Sequence, residues 1–596
     1  MTMLAALERA YRWMPDAPKP GFALARIGVV VGLNEDGSIA SVSPLKEKVG
    51  KKEVPRMLAV PAPVKRSVNI APNTFWDKTA YSLGVSTKND SKDAARHEAF
   101  TQFHRDLIGA TDDPGLVAFL RFLDAWSPDR FDAHFAEDMK DENVVFALEG
   151  ERRREVYLYD RPAARALLEG GEKGEGSLCL VTGARGPVAR LHPSIKGIWG
   201  GQPSGADIVS FNLEAFESYG HEKGDNAPVS QAAAEAYVGA LNRFLANGSG
   251  HRMQIGDASV AFWAEAPTDF GDEEKRRGAE RLAEAVFAAA LSEDEKRDQA
   301  EEDEAEAKPI REALQRIRDA RPVSDDRSLV PEISDDTRFY VLGLAPNAAR
   351  ISVRFWLDTT FGAIAENYAR FSRDMRIEPA DRQGTPALWH YLNETAVLGK
   401  RENVPPNLAG EWMRAILAGT AYPLTLLSTV LMRIRADGIV NARRAAILKA
   451  VLVRNFRMEK EAPVGLDPEN TRKGYLLGRL FATYEQAQSA ALGRNVNATI
   501  KDKFYGSASA QPRKVFSILE TGSANHLSKL GKQRPGQRVN LERTIAEIMD
   551  KMSPDEDPFP ASLPAAEQAL FGLGYYHQRS AFFARKDAPS EEPAVK

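Results

Sequence analysis

From about residue 405 onward, apolar residues recur with the spacing of amphipathic helices, and this pattern constrains the fold more than any other feature of the sequence. The clearest periodic segments are 411–418, 424–435 and 442–457. The connectors that follow are rich in Gly, Pro, Asn and Ser. Further helices are predicted near 474–492, 513–530, 540–552 and 563–584. The C-terminal part is therefore predicted to be a helical bundle.

Short runs typical of β-strands dominate the N-terminal segment 1–265. Runs at 27–31 and 38–42 flank the turn-forming segment 34–37, which predicts a hairpin. Ser230 is the predicted N-cap of a helix that reaches about residue 246. Further strands are predicted at 155–159, 177–182, 207–211, 253–255, 259–263, 338–344 and 350–357. We expect an α+β fold, in which a mixed α/β N-terminal region with short antiparallel strands precedes an all-helical C-terminal bundle.

A strongly acidic segment marks a predicted boundary. Residues 293–307 contain nine acidic and two basic residues, a net charge of −7, and show no apolar face. Such a segment is typical of a solvated helix end or a linker. The predicted division is 1–265, a mixed α/β domain; 266–310, a helical and acidic linker; 311–463, a central domain with a strand pair and helices; and 464–596, the helical bundle.

Composition excludes several classes of protein. No apolar run is long enough to predict a membrane-spanning helix, and the segment from Met1 to Lys19 does not resemble a secretory signal. The single cysteine, Cys179, excludes a disulfide framework and a cysteine-rich zinc site, and its apolar surroundings predict a core residue. These features fit a cytoplasmic protein without a membrane partner.

Charge is distributed unevenly along the chain. The net formal charge is −4, yet residues 471–552 carry 14 Lys and Arg against 6 Asp and Glu, a local charge of +8. Binding to a polyanion depends on such local patches rather than on the net charge. A basic C-terminal third therefore indicates a partner with a phosphate backbone. The preceding helices add Arg433, Arg435, Arg443, Arg444, Lys449, Arg454 and Arg457.

Sequence signatures of catalysis are missing. There is no metal-ligand spacing, no phosphate-binding P-loop and no Gly-x-Ser-x-Gly nucleophile motif, and no cofactor is predicted. His104-Arg105-Asp106-Leu107 resembles a kinase catalytic loop, but Thr111 stands where a kinase needs asparagine. An amphipathic helix is the simpler interpretation of this tract.

A set of long, ordered tracts resembles one known family. They include KRSVNIAPN at 65–73, CLVTG at 179–183, YVLGLAPN at 340–347 and GYYHQ at 574–578. Together they resemble the large subunit of the type I-C CRISPR Cascade complex over nearly the whole chain. Trp199-Gly200 and Pro203 depart from the family pattern, which affects the shape of one glycine-rich loop. Further matching tracts lie at 75–79, 81–84, 189–193, 195–197, 201–205, 209–212, 215–220, 226–230, 478–482 and 504–509.

The resemblance implies a non-catalytic role in RNA-guided defence against foreign DNA. Such subunits join a crRNA-bearing complex with Cascade backbone and crRNA-processing subunits. They read a short protospacer-adjacent motif (PAM) in double-stranded DNA, promote R-loop formation and hold the displaced strand, while guide pairing reads the sequence. A separate helicase-nuclease is recruited to cut. The resemblance assigns PAM recognition to residues 1–265.

The resemblance also implies a small subunit made by internal translation of the same gene. A start at Met458 gives a product that spans 458–596 and a start at Val464 gives one that spans 464–596, and either product contains the bundle. Two other classes of function stay open: a nuclease whose acidic residues are scattered along the sequence, and an assembly scaffold that barely touches DNA.

Two N-terminal tracts supply the candidate DNA-binding residues. Amides can pair with base edges, and basic side chains with guanine or phosphate. The alternative for the first tract is a turn in which Asn73 caps a helix and Trp76 packs in the core. The second tract has four glycines in 196–205, and its alternative is a structural loop held by Arg190 and His192. The candidates are Lys65, Arg66, Asn69, Asn73, Lys78, Arg190, Lys196, Gln202 and Ser204.

Basic residues of the bundle are the candidates for holding a strand by its backbone. Some, such as Arg479 between apolar neighbours, are alternatively internal ion-pair partners. Tyr505, Tyr575 and Tyr576 can stack on bases but fit the core equally well. The candidates are Arg472, Lys473, Arg479, Arg494, Lys501, Lys503, Lys514, Lys529 and Lys532.

Overall fold

The computed structural model divides the chain into two units, each with its own apolar core. The first comprises residues 1–246 and 346–352, and the second 247–345 and 353–596. The predicted α+β class is confirmed. The boundaries at 265, 310 and 463 stay predictions. The structure describes all residues except 15–16, 20, 50–51, 65, 67–69, 89, 171–175, 292–303, 320–329, 331, 349, 382–386, 494–497, 554 and 585–596.

Short helices and strands alternate in the first unit. Its helices are α1 (Met3–Trp13), α2 (Thr79–Ser82), α3 (Asp93–Ile108), α4 (Pro114–Ala125), α5 (Phe131–His134), α6 (Glu149–Arg152), α7 (Pro162–Gly170) and α8 (Gln231–Phe244). Its strands are β1 (Phe22–Ile27), β2 (Val29–Leu33), β3 (Ile39–Pro44), β4 (Lys46–Val49), β5 (Lys52–Pro61), β6 (Trp76–Lys78), β7 (Asn143–Leu148), β8 (Ser177–Leu178) and β9 (Arg185–Gly186).

The predicted hairpin at 27–42 is confirmed as β2 paired with β3. These strands belong to a sheet of order β3-β2-β7-β6, in which β2–β3 and β6–β7 pair antiparallel and the central pair, β2 and β7, runs parallel. Strands β3 and β6 run opposite to β2 and β7, so the helices that follow β6 lead into β7 at the end of the sheet where β2 begins. A second, antiparallel sheet has the order β1-β5-β4.

Two predicted strands in this unit are wrong. Residues 155–159 are buried at Tyr157, Leu158 and Tyr159, but they lead into a 3-10 turn, Leu158–Asp160, instead of a sheet. Residues 207–211 form a single bridge, between Asp207 and Arg350. Residues 155–159 are thus buried by loop packing, and residues 207–211 are only partly buried.

Residues 346–352 belong to the first unit because they pack on residues 207–216. The Ile351 N–H donates to the Asp207 carbonyl at 3.1 Å. The Arg350 guanidinium donates to Asn212 Oδ1 at 2.8 Å and lies 4.4 Å above the ring of Phe216. A short segment that is distant in sequence thus completes this part of the unit.

The second unit combines one antiparallel sheet with helices. Most of the sheet β10-β11-β12-β13 belongs to it, formed by β10 (Arg252–Ile255), β11 (Ala258–Glu265), β12 (Arg338–Asn347) and β13 (Arg350–Thr360). Its helices are α9 (Glu273–Leu291), α10 (Glu304–Asp319), α11 (Phe361–Asp374), α12 (Leu388–Asn393), α13 (Pro406–Ala418), α14 (Leu424–Asp437), α15 (Ala442–Phe456), α16 (Lys473–Leu492), α17 (Ile500–Ala510), α18 (Phe516–Gln533), α19 (Pro535–Asp550) and α20 (Ala565–Phe583). Most of the acidic segment 293–307 lies outside the described residues.

Glycines allow α16 and α20 to pack backbone against backbone. A Cβ added at Gly478 would lie 2.1 Å from the Phe571 carbonyl oxygen, and one at Gly574 would lie 2.2 Å from the Tyr475 carbonyl oxygen. No side chain fits at either position. The same core includes α15. A Cβ added at Gly572 in α20 would lie 2.8 Å from a methyl group of Leu448 in α15.

Several basic residues of α14 and α15 are internal. Asp374 accepts a hydrogen bond of 2.7 Å from Arg454, and its backbone carbonyl accepts one of 2.9 Å from Lys449. Arg444 pairs with Glu394 at 2.9 Å. All three cations are buried. The basic residues before 471 therefore contribute less surface charge than the sequence suggests.

Candidate nucleic-acid interface

A buried carboxylate holds the first candidate tract together. Asp77 accepts hydrogen bonds from the Arg66 guanidinium and, at 2.8 Å, from the Asn73 N–H. The Asn73 side chain is buried and accepts a 3.0 Å hydrogen bond from the Val64 N–H. Arg66 also lies 3.9 Å above the ring of Tyr81. Arg66 and Asn73 thus stabilise the loop itself and are not available for contact with DNA.

Lys78 is the accessible member of this tract. It ends β6, its side chain is exposed, and it forms no ion pair with a described residue. Trp76 is buried and donates its indole N–H to the Pro61 carbonyl at 2.8 Å, which places it in the core. Lys65 and Asn69 lie outside the described residues.

The second tract contains a loop, residues 196–205, that we call the glycine loop. Its base is closed by an antiparallel bridge in which the N–H groups of Ile195 and Ala206 each donate to the other's carbonyl at 2.9 Å. Asn242 of α8 fixes the first residue, because its Oδ1 accepts a 2.7 Å hydrogen bond from the Lys196 N–H. The loop is therefore anchored on a regular helix.

Two successive tight turns shape the glycine loop. The Gly201 N–H donates to the Ile198 carbonyl at 3.1 Å, and the Gly205 N–H donates to the Gln202 carbonyl at 2.9 Å. Gly200, third in the first turn, has φ +70°, a conformation that favours glycine. The backbone itself thus defines the shape of the loop, so its corner side chains are presented on a fixed frame.

The side chains of this segment divide into internal and accessible groups. His192 is buried, and its Nδ1 lies 2.6 Å from the Tyr237 hydroxyl, so it supports the fold. Sequence reasoning did not select Trp199, which is 56% exposed. The available signal was a tryptophan between glycines, without the apolar periodicity that predicts burial. The predicted contact residues that are exposed here are Arg190, Lys196, Gln202 and Ser204.

About half of the bundle candidates are engaged internally. Arg479 is buried and donates to Gln578 Oε1 at 3.0 Å, so it is not accessible to a strand. Arg472 pairs with Glu567, and Lys473 pairs with Glu556 at 2.6 Å. Burial lowers the pKa of Lys501. Arg494 lies outside the described residues, and Tyr505, Tyr575 and Tyr576 are buried in the core.

Four lysines remain, and we call them the exposed lysine set. They lie on α17, on the turn before α18 and on α18, and none forms an ion pair with a described residue. They are Lys503, Lys514, Lys529 and Lys532.

The exposed face of α18 that carries two of these lysines is mostly polar, with one exposed apolar residue, Ile518. Helical spacing places Lys529 and Lys532 on the same face as Thr521, Asn525 and Ser528. All five side chains are exposed, and none of them is a carboxylate. Small hydroxyl and amide groups next to ammonium groups allow a phosphate backbone to approach closely.

Two features of the described residues bear on other functions. Within these residues, no three His, Cys, Asp or Glu side chains are grouped in a way that would hold a metal ion. No helix in the described part of the chain combines the length and apolar character that a membrane span requires.

A family described as CRISPR-associated protein (Cas_Csd1) matches residues 5–583. No curated protein matches the chain.

Proposed function

The chain belongs to the Cas_Csd1 family of CRISPR-associated proteins, and from this premise we propose that it is the large, non-catalytic subunit of a type I-C Cascade complex. It recognises the PAM in double-stranded DNA, promotes duplex opening and R-loop formation, and holds the displaced strand. Its partners are a crRNA-bearing complex with backbone and crRNA-processing subunits, and a helicase-nuclease recruited for cutting. It acts in the cytoplasm.

The glycine loop is the observation that carries this proposal. It presents Lys196, Gln202 and Ser204 on two tight turns whose base is bonded to a helix. A narrow, preorganised loop with an amide, a hydroxyl and an ammonium group suits entry into a DNA groove. Lys78 and Arg190 supply further accessible positive charge in the same unit.

The displaced strand is proposed to follow the exposed lysine set and the polar face of α18. Residues 511–538 contain six Lys and Arg and one acidic residue, Glu520. Glu520 neighbours Tyr484, and burial together with this carboxylate raises the pKa of that tyrosine. The α18 face opposite the core is therefore positively charged, as binding along a phosphate backbone requires.

Selection from a DNA library tests the proposed function. The complex is purified through a tag on the full chain and incubated with duplexes that carry randomised bases beside the guide-matched target. We expect enrichment of a short motif and binding that weakens steeply with salt. Selection without an enriched motif would reject PAM recognition, and metal-dependent cleavage by the purified chain would reject the non-catalytic assignment.

Replacing Lys196 and Gln202 together by alanine is expected to slow duplex opening more than it weakens initial docking. Both side chains are exposed on a loop whose backbone bonds they do not make, so the loop keeps its shape. A fluorescent base next to the enriched motif reports opening, and filter binding reports docking. An unchanged opening rate contradicts this role for the glycine loop.

We also propose that residues 464–596 are made separately as a small subunit by translation from an internal start. In the full chain α20 packs on α15, so the separate product exposes apolar surface that the long chain covers. Copies of the small subunit therefore need a neighbouring surface in the complex. The bundle brings the exposed lysine set with it, which suits binding along a strand.

Expressing the wild-type gene with a C-terminal tag is expected to give a second, much smaller band beside the full-length chain of 65.6 kDa. Its mobility should match that of a marker expressed from residues 464–596 or 458–596. Met458→Leu, combined with a synonymous change that removes start function at the Val464 codon, is expected to abolish the small band and to leave the full-length band. A single full-length band from the unaltered gene contradicts the separate subunit and leaves the large-subunit proposal standing.

A further inference from the structure

Trp199 occupies an unusual position for a large apolar side chain. It is the second residue of the turn closed by the Gly201 N–H and the Ile198 carbonyl, and the positive φ of Gly200 makes this turn type II. Its side chain is 56% exposed on that corner. A rigid turn keeps the indole accessible at little conformational cost, which favours a binding role over chance exposure.

The chemistry around Trp199 favours a nucleic acid as its partner. Residues 190–206 contain Arg190 and Lys196 and no Asp or Glu. Both cations are exposed, as is Gln202. An exposed aromatic ring in a segment that carries ammonium and guanidinium groups and no carboxylate is suited to a base attached to its phosphate backbone.

We propose that Trp199 stacks on an unpaired DNA base where the duplex opens beside the glycine loop. This inference rests on the proposed function and assigns one step of it to one side chain. A base is free to stack only after its pair has separated, so the contact stabilises the opened junction and not the closed duplex. Every base has an aromatic face, so the contact does not depend on the sequence.

Binding to two DNA probes tests the inference in the complex purified through the full chain. One probe is a forked DNA with unpaired bases next to the enriched motif, and the other is the fully paired duplex. We expect Trp199→Leu to weaken binding of the fork by roughly 5- to 150-fold, the range of one base–aromatic stack. Trp199→Phe should stay within about threefold of wild type, because the ring is retained. Neither variant should alter binding of the paired duplex.

Trp13→Leu is the matched control, since Trp13 is 71% exposed at the end of α1. It is expected to bind both probes like wild type. Subunit composition is measured in parallel, because an exposed indole can also contact a protein.

Specific outcomes would overturn the inference. If Trp199→Leu binds the fork as tightly as wild type, Trp199 does not stack on a base. If Trp199→Phe loses as much affinity for the fork as Trp199→Leu does, the contact is not ring stacking. If Trp199→Leu loses the same affinity for the paired duplex as for the fork, the side chain contributes to initial docking and not to the opened junction. Loss of a subunit with unchanged fork binding assigns it to a protein interface. If the wild-type complex binds neither probe, the proposed function fails too; if it binds both and only the Trp199 effect is missing, the proposed function stands.

Discussion

Replacing the exposed lysine set by alanine is expected to lower affinity for single-stranded DNA and to reduce the salt dependence of binding. Each phosphate neutralised on a single strand contributes about 0.7 to the slope of log affinity against log salt, so losing four reduces the slope by about 2.8. Between about 50 and 200 mM salt, the wild type should then lose about 50-fold more affinity than the variant. Fluorescence anisotropy with a labelled oligonucleotide measures both quantities.

A charge-matched control distinguishes this path from the general effect of removing four cations. Lys275, Arg281, Lys308 and Arg311 are also exposed, but they lie on α9 and α10, on either side of the acidic segment 293–307. Replacing these four by alanine should leave the slope unchanged. Equal slopes for the wild type and the variant of the exposed lysine set would refute the proposed strand path.

Gly478→Ala is expected to destabilise the second unit by about 3 kcal/mol or more, at or above the upper end of overpacking effects. The added Cβ would lie 2.1 Å from the carbonyl oxygen of Phe571 and 2.8 Å from the backbone nitrogen of Tyr575. Both are backbone atoms, so no side-chain rotation relieves the clash and the two helices must move apart. The measurement is urea unfolding of the full chain, followed by a probe in the bundle.

Gly522→Ala, in a neighbouring helix, is expected to leave the free energy of unfolding unchanged or to raise it. A Cβ at Gly522, inside α18, meets nothing within 4 Å. Alanine is a better helix former, so the unfolding midpoint should stay the same or rise, by up to about 1 kcal/mol in stability. If Gly478→Ala unfolds at the wild-type urea concentration, the close packing of α16 on α20 is not what stabilises the bundle.

The helical half of the fold could be predicted from the sequence because its periodicity is local. Helices α13 to α16 and α18 to α20 lie within a few residues of the predicted segments or contain them. The prediction missed α17, which is only 11 residues long. Its signal was a capping box, in which Thr499 and Asp502 each accept a hydrogen bond from the other's backbone N–H.

The candidate site could be predicted only at the level of segments. The sequence identifies a basic residue but not its partner, which is often far away along the chain. Asp374, for example, is 80 residues before Arg454, the cation it neutralises. Arg479 has the same residue type as an exposed phosphate ligand, yet it is buried. The distinction between internal and accessible cations therefore required tertiary contacts.

The assignment of residues 346–352 to the first unit has a consequence for the order in which the protein forms on the ribosome. Residues 1–246 leave the ribosome first. The hydrogen bonds of Asp207 and Asn212 with Ile351 and Arg350 can form only after residue 351 has been synthesised. At about 5 to 20 residues per second, the segment 247–352 takes about 5 to 20 s to synthesise. During that time the segment 207–216 lacks its partner and is open to chaperones and proteases, so vectorial synthesis alone cannot complete the first unit before the second has begun to emerge.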